Sequence, residues 1–141
     1  MSRIIAFMSL LLLAVAVQAG EYAPQKAVYH VNYDATPRQL ATLRNIGNHL
    51  DAVGDDNMDL RVVIHGAGIS LLRQAVDNPD LQSRIDGLRL RGVKFNVCAN
   101  TLRGRGLSVD DLHDTSEDDL VPSGVAEVAH LQAQGFAYLH P

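Results

Sequence analysis

One thiol and two imidazoles are the side chains of this chain best suited to chemistry. The thiol is Cys98, the single cysteine among 141 residues, in the stretch FNVCANTLRGRG at 95–106, where two arginines and two glycines follow it. The imidazoles are His30 and His65, each near the end of a short run rich in β-branched residues. A thiolate is the reactive form of cysteine, and nearby positive charge, helix N-termini or free backbone amides lower a thiol's pKa. Arg103, Arg105 and His65 are the candidates to supply charge. The opposing reading makes Cys98 a small buried hydrophobe, the usual state of a free cysteine.

His30, His65 and Cys98 together would also suit zinc or copper. No local metal spacing such as CxxC or HxxxH supports that reading, so no metal or cofactor is assigned. The GAG of residues 66–68 is equally an anion-binding nest or a tight turn, because the full GxGxxG is absent. The paired carboxylates Asp110/Asp111 and Asp118/Asp119 read as solvated loop charges.

The N-terminus bears on the thiol. Arg3 precedes an apolar run from Ile4 to Val17 that closes on Val17, Gln18 and Ala19. The run is shorter than the roughly 20 residues of a spanning helix and ends in an A-x-A-like site, the pattern of a secretory signal peptide over residues 1–19. Residues 20–141 are then one domain, placed in the periplasm or outside the cell and free of the membrane after cleavage. Loss of Arg3 leaves 11 Lys and Arg against 16 Asp and Glu, a charge of about −5 that argues against a nucleic-acid partner. One cysteine closes no internal disulfide, so an apolar core must hold the fold. An unpaired thiol in an oxidising compartment is a liability, and this one has polar neighbours; both points favour a functional Cys98.

The elements that would position these residues alternate. Residues 26–33, KAVYHVNY, read as a strand. Thr36 reads as an N-cap with Pro37 at N1 and Gln39 at N3, a capping box. The helix then carries Leu40, Leu43, Ile46, Leu50 and Val53 at 3-and-4 spacing and stops at Gly54. LRVVIHG at 60–66 reads as a second strand, the following GAGISLLRQA as a tight loop and short helix. Asn78 caps a further helix lined by Leu81, Ile85 and Leu88.

VKFNVCA at 93–99 is a third strand, and 110–120 an acidic loop with one helical turn. Pro122 and Ser123 open a last helix with Val125, Val128, Ala129 and Gln132 near one face, and FAYLH is a final strand. Strands separated by helical stretches imply right-handed crossovers and a mainly parallel sheet: an α/β three-layer sandwich of flavodoxin-like type. In such a sheet ligands bind beyond the carboxyl ends of the strands. Those ends deliver His30, Asn32 and Asp34, then His65, then Cys98, Asn100 and Thr101. Strand alternation sets Cys98 with Lys94 and Asn96, opposite Val93, Phe95 and Val97.

With these residues in view, the chain resembles the DsrE/DsrF-like family, and within it the exported members. The similarity runs from KAVYHVNYD through RVVIHGAGISLL and KFNVCANTLRGRG to VPSGVAEVAHLQAQGFAYLHP. Family members in cytoplasmic sulfur relays carry a cysteine after a strand, then three residues, a leucine and a basic glycine-containing turn; Cys98, Leu102, Arg103 and Gly104 match. Ser123 and Gly124 match the SG that opens a later helix. The resemblance implies that Cys98 accepts a persulfide sulfur from a donor and passes it to an acceptor thiol, a carrier rather than a turnover enzyme. The amides of Ala99 and Asn100 and the side chains of Asn100, Thr101 and Arg103 would support the anion, with Asn32 and His65 beside it. It also implies a homo-oligomer, trimeric or hexameric. The alternative is an oligomeric module that holds a ligand or metal among His30, Asn32, His65 and Asn100 without sulfur transfer.

Overall fold

The computed structural model describes residues 22–141, so the signal-peptide reading of residues 1–19 lies outside the described residues. Five strands make one sheet in the order β4-β3-β2-β1-β5, every neighbouring pair parallel. They are β1 (Gln25–Val31), β2 (Met58–Ile64), β3 (Lys94–Cys98), β4 (Leu120–Val121) and β5 (Ala137–Leu139). The helices are α1 (Thr36–Val53), α2 (Ser70–Ala75), α3 (Pro79–Leu90), α4 (Ala99–Arg105) and α5 (Gly124–Ala133).

The expected α/β three-layer arrangement is the one observed, and the connections explain its asymmetry. From β1 to β4 the chain steps one way across the sheet, so right-handed crossovers put the intervening helices on one face. From β4 it reverses to reach β5 beyond β1, and the same handedness sends α5 to the other face, where it packs on β1, β2 and β3. The first face is apolar throughout: Ala27, Tyr29, Val31, Leu60, Val62, Ile64, Phe95 and Val97 meet Leu43, Ile46 and Leu50 of α1 and Leu81, Ile85 and Leu88 of α3. The second carries a smaller apolar cluster, Val28 and Val63 beneath Val128 and Leu131 of α5 and Phe136. Period-two alternation puts His30, Asn96 and Cys98 on this second face.

Several local expectations shift. Helix α1 starts at Thr36 itself, with Ala35 at the N-cap position and no capping side chain. Gln39 cannot complete a capping box because its amide is turned inward, donating to the Tyr33 carbonyl and the Ser70 hydroxyl at 2.8 Å each. Asn78 does cap α3, accepting from the amides of Asp80 and Leu81. The acidic stretch is more ordered than a solvated loop. Two 3-10 turns, Val109–Asp111 and Glu117–Asp119, each carry a capping box, Ser108 with Asp111 and Ser116 with Asp119, and the second leads into β4. In α5 the buried residues are Gly124, Val128 and Leu131, while Val125 is 65% exposed and Ala129 and Gln132 face solvent. The face was set by the sheet, which takes the Gly124 side of the helix.

Candidate functional site

Cys98 ends β3 and at the same time occupies the N-cap position of α4, a helix that the apolar spacing of ANTLRGR does not announce. It is 5% exposed. Its side chain makes no full capping hydrogen bond, yet its surroundings are rich in donors. Burial pushes the thiol pKa up; the Thr101 hydroxyl, then the backbone amides of Gly124, Thr101 and Asn100, pull it down by more, so the net position is below the ordinary thiol value. The amides of residues 100 and 101 are free because they belong to the first turn of α4. The amide of Gly124 comes from the first turn of α5, whose N-cap Ser123 accepts from Ala126 N–H at 3.3 Å.

Two contacts fix this cradle. Thr101 Oγ1 accepts the Gly66 amide at 2.8 Å, tying α4 to the loop after β2 and leaving the hydroxyl hydrogen for Cys98. Gly124 has no room for a side chain: a Cβ there would stand 2.8 Å from His65 Cβ and 3.3 Å from Cys98 Cβ. The bare α-carbon is therefore what lets α5 close over both residues. Gly68 has a similar role, since a Cβ would lie 2.1 Å from the Val31 carbonyl oxygen. This requirement, a close backbone approach, accounts for the second glycine of GAG without an anion-binding nest.

From Cys98 a row of ring side chains crosses the carboxyl ends of the sheet. β2 and β3 are in register up to Ile64 and Val97, so His65 follows beside Cys98. The His30 and His65 rings stack with centroids 4.7 Å apart. His30 Nδ1 meets the Tyr138 hydroxyl at 2.7 Å, and the His140 ring stands 5.3 Å from that of His30. Burial, then the neighbouring His65 and His140, lower His30 to about 4; burial lowers His65 also. Both imidazoles are thus neutral at neutral pH. Their Nε2 atoms are buried and have no hydrogen-bond partner.

A Cys/thiolate cradle at the exit of β3, between a glycine-opened helix and a basic helix turn, matches the pattern that the sequence suggested, and a family model for the DsrE/DsrF-like family matches residues 25–141. The chain belongs to the DsrE/DsrF-like family. A solved relative is the protein of unknown function MTH1491 from Methanobacterium thermoautotrophicum, 29% identical, with a TM-score of 0.72 over 83% of this chain and 99% of that one. No functionally curated protein matches the chain.

Within this DsrE-like frame the expected site residues divide. Cys98 and His65 come together at Gly124, and Thr101 joins them through the Gly66 amide and the thiol. Asn100 contributes its backbone amide, while its side chain is paired with the exposed Arg103 guanidinium. Neither Arg103 nor Arg105 is among the groups that move the thiol pKa, and His65 carries no charge at neutral pH, so amides and a hydroxyl replace the expected positive charge. Asn32 is exposed and accepts from His140 Nε2 at 2.8 Å, two strands from the thiol. Among the described residues no three His, Cys, Asp or Glu side chains group to hold a metal ion, so His30, His65 and Cys98 do not form the zinc or copper set. Tyr138 and His140 were not singled out in the sequence. Their period-two spacing in FAYLH was the available signal, but only the pairing of β5 with β1 shows what they face.

Proposed function

We propose that this DsrE-like protein is an exported carrier of reduced sulfur, with Cys98 holding the sulfur as a persulfide. The observation that carries the reading is the donor cradle around a buried thiol: two helix starts and the Thr101 hydroxyl lower its pKa despite burial. A thiolate held this way is a nucleophile toward the outer sulfur of a persulfide, and the same donors would stabilise the terminal persulfide anion that results. The single cysteine suits a carrier that takes sulfur from one partner and yields it to another, because no second thiol can release it internally as a disulfide.

Export rests on the leader pattern of residues 1–19, and assembly of like subunits on the family. The 65% exposed Val125 on α5, beside the site, suits a subunit contact. Intact-mass spectrometry after incubation with inorganic polysulfide, whose S–S bond breaks as the Cys98 thiolate takes its terminal sulfur, tests the carrier role. We expect a gain of one sulfur that is lost on reduction and absent in Cys98→Ser. A wild-type protein that never gains sulfur overturns the reading.

A further inference from the structure

Resting on the carrier reading, we propose that His65 Nε2 is the proton-handling group of sulfur transfer, receiving the S–H hydrogen of a small alkyl hydropersulfide donor at Cys98. Three observations converge. His65 and Cys98 end adjacent strands on one face of the sheet, and both press against the bare α-carbon of Gly124. His65 Nε2 is buried without a hydrogen-bond partner, and so is the Nε2 of His30, which is 9% exposed and stacked upon it. Buried polar atoms in folded proteins are almost always partnered, so an unpartnered His65 Nε2 on the strand end next to the thiol, with the unpartnered His30 Nε2 stacked behind it, marks a place where a ligand's hydrogen completes the network. The uncharged imidazoles disfavour a donor that must be bound as an anion by charge pairing, and the 5% exposure of Cys98 favours a small one.

The step balances without an oxidant. The Cys98 thiolate attacks the outer sulfur of R–S–SH; the Sγ–S bond forms as the donor's S–S bond breaks, and its electron pair leaves on R–S⁻. The hydrogen on the transferred sulfur passes to His65 Nε2 and from there to the departing sulfur. The products are Cys98–S–S⁻ and R–SH, with charge and hydrogen conserved. His30 is the positioning residue: its ring holds that of His65 by stacking, and its Nδ1 is anchored on the Tyr138 hydroxyl.

The titratable groups around His65 are His30 from β1, with Tyr138 of β5 and, just after that strand, His140 behind it, and Cys98 from β3; Glu127 lies in the first turn of α5. The test compares two reactions of Cys98 in the full mature chain between pH 5 and 9: persulfidation by cysteine hydropersulfide, followed by intact mass, and alkylation by iodoacetamide, which needs the thiolate but no proton acceptor. In the wild type the ratio of persulfidation to alkylation should fall at the acid end of this range as His65, held below the ordinary imidazole value by burial, takes up a proton. His65→Gln should slow persulfidation about 100-fold at pH 7 while alkylation changes less than about 3-fold, and the acid limb of the ratio should vanish. A ratio independent of pH in the wild type overturns the proposal even where the variant fails to fold, as does a His65→Gln protein that loses both reactions equally or neither. Wild-type protein that alkylates but accepts no sulfur instead removes the carrier reading on which the proposal rests.

Discussion

Thr101 illustrates how one side chain serves two elements. Its hydroxyl oxygen is engaged by the Gly66 amide, which turns the hydroxyl hydrogen toward Cys98. Thr101→Val removes both interactions at nearly constant volume. The thiol pKa should then rise toward the ordinary cysteine value, and alkylation at pH 7 should slow several-fold, measured as a pH–rate profile; Thr101→Ser should retain the wild-type midpoint. Equal midpoints for the valine variant and the wild type would show that the amides alone tune the thiol. Gly124→Ala drives a methyl group into His65 Cβ. Overpacking of this kind costs about 1–3 kcal/mol, which chemical denaturation should resolve, with an accompanying loss of Cys98 reactivity as the first turn of α5 is pushed away.

Among the elements, the helix starts are the sensitive points. Asn78→Ala removes the capping oxygen that accepts two α3 amides and should cost about 1 kcal/mol in a denaturant titration, without touching the thiol. An N-terminal change at α5 separates stability from chemistry: Ser123→Ala loses one capping bond, and because the same turn presents the Gly124 amide to Cys98, both stability and alkylation rate should fall. Helix and strand identities were legible here because most carry strong punctuation, such as Asn78–Pro79 before α3 and the positive-φ Gly54, Gly92 and Gly135 after α1, α3 and α5. Helix α4 was not legible, because in ANTLRGR only Leu102 is buried and a single apolar residue makes no period. The short β4 was hidden for a related reason: two residues in an acidic stretch give no alternation to read.

For the whole molecule, the ring row couples stability to pH. His30 titrates near 6.5 when unfolded and at about 4 when folded, so between these values the unfolded chain binds the extra proton. Stability is therefore complete above about pH 6.5 and declines as pH falls toward 4, by about 3 kcal/mol for His30 alone; His65 shifts in the same direction and adds to it. Thermal unfolding from pH 7 to pH 4 should show this loss, and His30→Phe, which retains an aromatic ring to stack on His65, should flatten it. The strand order adds a second feature. The direction reverses between β1 and β5, the crevice where open parallel sheets bind ligands, and His30 and Tyr138 meet across it, whereas Cys98 stands two strands away at β3. The imidazole row is what joins the two.

The sequence by itself determined the strands and helices that carry strong periodicity, the parallel α/β class, and the family whose pattern runs through Cys98, Leu102, Arg103 and Ser123–Gly124. These are local properties, written in spacing and in turn residues. Only the tertiary structure decided what surrounds the thiol, because its cradle draws on Thr101 after β3, Gly66 after β2 and Gly124 after β4, and strand ends distant in sequence meet only once the order β4-β3-β2-β1-β5 is known. The flanking arginines suggested charge as the tuning agent; α4 instead carries Arg103 outward onto Asn100, and helix-start amides take that place. A thiol's neighbours are a matter of sheet order and helix entry, and neither is encoded in the residues next to it.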